Sequence, residues 1–165
     1  MVINLGKALS GHWKYVENDI HKVCQTAHDY KAKLKVIFEN DYLDKGGAGL
    51  TGKELKLTLC RICQNIGADW VKTSTGFGYT QRIDGTIATN GAKEEDVSLM
   101  VKACAQAIQV KAAGGIKNLE TLLRMRQIGA TRIGTSSTRN ILDECTSILK
   151  MPPISVVKEK RSLQY

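Results

Sequence analysis

Two lysines stand where buried strands would otherwise run on. Ala68 to Ser74 reads as a buried parallel strand, yet it carries Lys72 in the run Val71-Lys72-Thr73-Ser74-Thr75-Gly76. An ammonium group in such a place is costly unless it has a task. A second lysine, Lys111, ends the next strand-like run, Val110-Lys111-Ala112-Ala113-Gly114-Gly115. A lysine attacks a carbonyl only as the neutral amine, and the free side chain titrates near ~10.4. Burial and a neighbouring ammonium both lower that value. Lys72 and Lys111 therefore make a candidate pair, one nucleophile and one perturber, and the chemistry is Schiff-base formation. The competing reading is a strand-edge lysine whose stem covers apolar surface while its head reaches solvent. A P-loop is excluded, because Val71 stands where that motif needs glycine directly before the lysine.

Two loops near these lysines have the composition of an anion site. Gly114-Gly115 lies between a strand and a helix, and so does Gly134-Thr135-Ser136-Ser137. Paired glycines let backbone approach a ligand, and a helix N-terminus offers free N–H groups to an anion. Each loop alone reads equally well as a tight turn with a helix cap. Together they suit a phosphorylated carbonyl substrate, and a class I aldolase follows as the chemical expectation.

The elements that must position these residues alternate regularly. Strands are expected at Met1 to Leu5, Lys33 to Phe38, Ala68 to Ser74, Ile108 to Ala112 and Thr131 to Thr135. Helices are expected at about 13–30, from Thr51-x-x-Glu54 (a capping box) to about 66, at about 93–107, at 119–128 closed by Gly129, and at about 138–150 before Pro152-Pro153. Val16, Ile20, Val23 and Ala27 form the apolar stripe of the first helix. Gly76 to Gly91, with Tyr79, Arg82 and Asp84, reads as a long loop. This rhythm means βαβ units and a parallel α/β sheet. An open doubly wound sheet and part of a (β/α)8 barrel both fit. A complete barrel needs about 250 residues, so length alone favours the open sheet.

Composition narrows the function classes. With 165 residues, 42% hydrophobic and 24% charged, the chain can bury a core of its own. No apolar run nears the ~20 residues of a membrane span, and the opening segment lacks the features of a secretion signal. Five scattered cysteines suit a reducing cytosol better than a disulfide framework, so a cytoplasmic setting is expected. Cys60-x-x-Cys63 fits one face of a buried helix, and His21, Cys24 and His28 share a helix face without a fourth ligand, so no metal is expected. The net charge of +8 is spread along the chain without interleaved aromatics. That pattern speaks against a nucleic-acid partner and agrees with an anionic small molecule.

The segments LKVIFEN, GADWVKTSTGFG, VKAAGGIKNLETLLRMRQIGATRIGTSS and the opening MVINLGKALSG all resemble the deoxyribose-phosphate aldolases, in the same order along the chain. The resemblance runs from Met1 to about Leu149. It implies a partial (β/α)8 TIM barrel, the last five βα units, over residues 1–150, with 151–165 as a tail. It implies reversible cleavage of 2-deoxy-D-ribose 5-phosphate to D-glyceraldehyde 3-phosphate and acetaldehyde, without metal or organic cofactor. Lys72 would form the Schiff base, Lys111 would depress its pKa, and Lys35 would face the barrel interior with Glu39 near the acid/base apparatus. Gly76, Gly114, Gly115, Gly134, Ser136 and Ser137 would surround the phosphate. Phe77 stands where some members carry a lysine, and the loop Tyr79 to Asn90 is longer than in many relatives. Tyr165 ends a tail that in some relatives reaches the site, although a disordered terminus is the simpler expectation. The family's catalytic aspartate, a proton relay, directly precedes the segment that begins here as Met1. Three explanations follow: a Met1 internal to a longer reading frame, a truncated inactive phosphate-binding relic, or a split barrel completed by another chain or by homo-oligomerisation.

Overall fold

The structure, a computed structural model, describes residues 1–81, 85–105 and 107–151. Arg82, Asp84, the Pro152-Pro153 stop and the tail through Tyr165 lie outside the described residues.

The expected first strand is reduced to one parallel bridge, Val2 to Ile37. The Asn4 side chain accepts from the Lys7 N–H at 3.1 Å and opens a short helix, α1 (Leu5–Leu9), where a loop was expected. In α2 (Trp13–Asp29) the buried stripe is Val16, Ile20 and Cys24, so the cysteine takes the place expected of Val23, which is exposed. Next come β1 (Lys35–Ile37), an unexpected single turn α3 (Asn40–Leu43), and α4 (Gly52–Ile66). The capping box of α4 forms as its sequence requires. Thr51 Oγ1 accepts from the Glu54 N–H at 3.3 Å, and the Glu54 carboxylate accepts from the Thr51 N–H at 2.8 Å. Gly67, at φ 81°, closes this helix.

After β2 (Trp70–Lys72), the long loop contains a small antiparallel pair, β3 (Thr80–Gln81) and β4 (Ile87–Ala88). Then follow α5 (Glu94–Cys104), β5 (Gln109–Ala113), α6 (Leu119–Ile128), β6 (Arg132–Gly134) and α7 (Thr138–Ile148). Helix α7 ends on Leu149 and on Lys150 at φ 52°, ahead of the two prolines.

Four strands form one parallel sheet in the order β1-β2-β5-β6. Side-chain alternation along these strands sorts the residues onto two faces. Val36, Val71, Val110 and Ala112 are buried, in one core with Leu55, Leu59, Val97 and Met100 of α4 and α5. Full burial of each such larger side chain is worth roughly 1.5–3 kcal/mol, so this face fixes the sheet. The opposite face carries Lys35, Trp70, Lys72, Lys111 and Arg132. It is the face that a closed barrel turns inward.

Candidate active site

Register places the lysines. Lys72 on β2 pairs with Ile37 on one side and Lys111 on the other, and Lys111 pairs with Arg132. A lateral row of cations, Lys72, Lys111 and Arg132, therefore crosses three adjacent strands, with Lys35 two residues before Ile37 on the same face. Arg132, which the sequence did not suggest, also stacks on Trp70, 3.9 Å from the ring centroid. None of Lys35, Lys72 and Lys111 has a carboxylate at ion-pair distance among the described residues. Burial lowers the Lys72 pKa from the ordinary lysine value, the charges of Lys111 and Lys35 add to that, and Glu39 opposes them. Burial, Lys111 and Arg132 lower Lys35 likewise.

Beside Lys72 lies a cleft of about 400 Å³ at the C-terminal ends of β2, β5 and β6. The expected residues Lys72, Gly76, Gly114, Gly115, Gly134 and Ser136 all line it. Thr75 and Lys117 line it too and were missed, and so does Phe77, which was noted only as standing where some members carry a lysine. Lys117 was legible in principle, since it sits in the turn just before Asn118, whose side chain caps α6 by accepting from the Thr121 N–H at 2.9 Å.

Individual roles differ from expectation in three places. The Gly76 N–H bonds Ser74 Oγ at 3.0 Å and so points away from a ligand. Among the described residues, the N–H groups of Gly115, Ile116 and Lys117 have no partner, and all three residues, termed the amide wall, line the cleft. Gly134 has a steric task, for a Cβ there would lie 2.9 Å from Lys111 Cε and 2.7 Å from Ala113 Cβ. Ser137 stands at the N-cap of α7, outside the cleft lining, and its N–H bonds Thr135 Oγ1 at 2.8 Å. Gly114, at φ 99°, also passes Gly91 closely, and a Cβ on Gly91 would meet Gly114 backbone at 2.5 Å. That contact, with the Ala92 N–H on Gly114 O at 3.0 Å, packs the far end of the long loop against the amide wall.

Cys60 and Cys63 are buried on α4, and no cluster of three or more metal-ligating side chains occurs among the described residues. His28 bonds the Asp69 carboxylate at 2.9 Å. No helix among the described residues is long and apolar enough to cross a membrane.

Comparison with known proteins bears on the family and the fold. The family model described as DeoC/LacD family aldolase matches residues 1–144. The deoxyribose-phosphate aldolase of Rhodopirellula baltica is 43% identical over 155 residues, covering 94% of this chain and 57% of the relative. That of Thermococcus gammatolerans is 44% identical over 143 residues, covering 87% and 56% respectively. Among solved structures, QR15, an aldolase, superposes with a TM-score of 0.73 at 34% identity, covering 90% of this chain and 58% of that one. The tetrameric deoxyribose phosphate aldolase of Aeropyrum pernix gives 0.63 at 28% identity, covering 81% and 50%. The chain thus spans a little over half the length of the curated relatives it matches.

Proposed function

Because the chain belongs to the DeoC/LacD aldolase family, we propose that it is a class I aldolase chain acting on 2-deoxy-D-ribose 5-phosphate through a Schiff base on Lys72. One observation carries this reading. Lys72, with a lowered pKa and no carboxylate partner among the described residues, stands at a cleft also lined by Gly115, Ile116 and Lys117, whose amides have no partner among those residues.

The chemistry follows from that juxtaposition. The amides of Gly115, Ile116 and Lys117 and the Lys117 ammonium hold the phosphate, leaving the aldehyde end of the open-chain sugar toward Lys72. The neutral amine adds to the aldehyde carbon, and loss of water gives a protonated imine. That imine accepts the electron pair released when the bond between C2 and C3 breaks, while the C3 hydroxyl loses its proton. D-glyceraldehyde 3-phosphate leaves, and the enamine on Lys72 takes up a proton at carbon. Hydrolysis then frees acetaldehyde and restores the amine. Lys111 and Lys35 keep part of Lys72 neutral by raising the cost of its charge.

Borohydride trapping with acetaldehyde or the sugar phosphate, followed by mass mapping, tests this reading. A reduced adduct on Lys72 is expected, absent in Lys72→Ala and weakened in Lys111→Ala. Undiminished trapping in the Lys72 variant would overturn the assignment. One second reading, which the unpartnered amides of the cleft would serve equally, is a phosphate-binding chain without catalysis. It predicts phosphate binding without any adduct. Among the described residues, the parallel sheet ends on β6 at one side and on the single Val2 bridge at the other. A homo-oligomer or a complementing chain is the partner such edges would accept. Light scattering distinguishes the two from a monomer.

A further inference from the structure

We propose that Glu39 is a positioning residue for imine formation: its carboxylate shapes the Ser74–Phe77 wall of the cleft and places a negative charge beside Lys72. This rests on the reading of Lys72 as the Schiff-base lysine.

The position is unusual from the backbone outward. The run Leu34 to Phe38 is strand-like, and the ladder continues past β1 with the Phe38 N–H on Lys72 O at 3.0 Å. The next ladder bond, from the Asn40 N–H to Thr73 O at 2.9 Å, advances two residues on one strand and only one on the other. Glu39 absorbs the mismatch at φ 55° and ψ 60°, the left-handed region that a residue with a Cβ rarely adopts. Strand parity would send its side chain into the barrel interior. The left-handed turn instead directs it into the loop after β2, where it is 4% exposed.

There the carboxylate is the centre around which the loop is wound. One oxygen accepts from Ser74 Oγ at 2.8 Å and from the Thr75 N–H at 2.9 Å, and the other accepts from Thr75 Oγ1 at 2.5 Å. Having donated to Glu39, the two hydroxyls accept in turn: Ser74 Oγ from the Gly76 N–H at 3.0 Å, Thr75 Oγ1 from the Phe77 N–H at 3.1 Å. Gly78 completes the wrap, for a Cβ there would lie 2.9 Å from the carboxylate. Three consecutive amides, 75 to 77, are thereby turned inward and removed from the cleft. Among the described residues, the amides that this stretch could offer the cleft are thus already used, whereas those of Gly115, Ile116 and Lys117 are not.

A carboxylate used only as a structural anchor would leave the chemistry of Lys72 unchanged. The charged groups acting on Lys72 are Lys111 from β5, Lys35 and Glu39 from β1 and its continuation, and the Met1 amine, with Arg132 one strand further along the row. Glu39 is the one among them that favours the ammonium. Neutralising it therefore lowers the Lys72 pKa further and leaves more of the free amine at neutral pH. If Glu39 positions the reaction, Glu39→Gln has more neutral amine and yet forms the imine more slowly.

The test uses the full chain with two readouts. Competitive acetylation of Lys72 by acetic anhydride across pH, read by mass mapping, gives its titration midpoint without requiring catalysis. Borohydride trapping of acetaldehyde gives the rate of imine formation. In Glu39→Gln the midpoint moves to lower pH while trapping slows by about tenfold. Glu39→Asp, which keeps the charge, holds the midpoint near wild type and recovers part of the rate. A midpoint that stays put or rises, or trapping as fast as wild type, overturns the proposal. If Glu39→Gln does not fold, Ser74→Ala and Thr75→Val, each removing one donor to the carboxylate, carry the test. Slower trapping in both supports the proposal, and unchanged trapping in both overturns it. Absence of an adduct in the wild-type chain is a different failure, that of the aldolase reading itself.

Discussion

Lysines on the two sides of this sheet are placed under opposite constraints. On the open face Lys35, Lys72 and Lys111 stand near one another, each without a carboxylate partner among the described residues. On the helical side, Lys56 of α4 is held between two carboxylates, with Asp44 and Asp96 each 2.5 Å from its Nζ. Lys93 joins the same network through the other Asp44 oxygen at 2.5 Å. The titration directions follow the surroundings. The bond to Asp44 raises Lys93, whereas burial and like charge lower Lys72. A cleft of about 420 Å³ borders the paired lysines, much the same size as the one at Lys72. Size therefore does not separate the two places. What does is whether the ammonium is satisfied, since a paired lysine stabilises structure and an unpaired one is available to react.

The largest test of this contrast removes Lys56. Its side chain is 5% exposed, so Lys56→Met removes the cation that Asp44 and Asp96 share, leaving Asp44 with Lys93 and Asp96 without an ion-pair partner among the described residues. Breaking a buried pair by removing one partner costs about 3–5 kcal/mol. Urea denaturation should show a loss of that order. A loss below about 1 kcal/mol would mean that the network is solvated and that the contrast is one of geometry alone.

A carboxylate at the start of the sheet gives an intermediate case. Asp69 accepts from Lys33 at 2.9 Å, from His28 at 2.9 Å and from the Leu34 N–H at 2.8 Å, tying α2 to the entrance of β1. Burial pushes its pKa up, but these three bonds outweigh burial and hold it at about 2. The contribution to stability is therefore full above the unfolded value near 3.8 and is lost as pH falls through about 2. Because Lys33 is largely exposed, about 1 to 2 kcal/mol is expected for Asp69→Asn at neutral pH. Wild type and variant should converge on acidification across that window. A difference independent of pH would assign the loss to packing rather than charge.

Much of this contrast was legible in the residues, and the reasons for what was not are specific. Lys72 and Lys111 stood out because a cation inside an apolar strand run is a local anomaly that one sequence window contains. The capping box at Thr51 and the stop at Gly129 are equally local, and α4 begins and α6 ends where those residues say. Glu39 was legible only as a face of a strand, because nothing in LKVIFEN announces a left-handed residue that turns the carboxylate out of the barrel. Lys56 and Asp96 lie 40 residues apart and meet only because α4 packs against α5. The inward-turned amide of Gly76 is likewise a tertiary fact, since it depends on Ser74 being held by a residue 35 positions earlier. Reactive groups were thus visible as exceptions to local pattern, and their supporting partners were not, since these are set by the packing of distant segments.

The smallest expected effect on stability is the sharpest test, because it falls on Lys72, the residue proposed to form the Schiff base. Lys72→Met removes a half-buried ammonium that has like charges beside it, and it leaves no carboxylate stranded by an ion pair. The variant should be within about 0.5 kcal/mol of wild type at neutral pH or slightly more stable, as expected for a site whose residues are placed for reaction. The pH dependence carries the sign. A lysine whose folded pKa lies below its unfolded value binds more protons in the unfolded chain between those two values. Wild-type stability should therefore rise with pH across that interval, and Lys72→Met should lack this rise. Denaturation midpoints from pH 7 to 10.5, measured for both proteins, would show the two curves converging as the amine is neutralised. A variant that loses several kcal/mol and keeps the wild-type pH slope would place Lys72 with Lys56, as a lysine that holds the fold, and would end the distinction between the two faces.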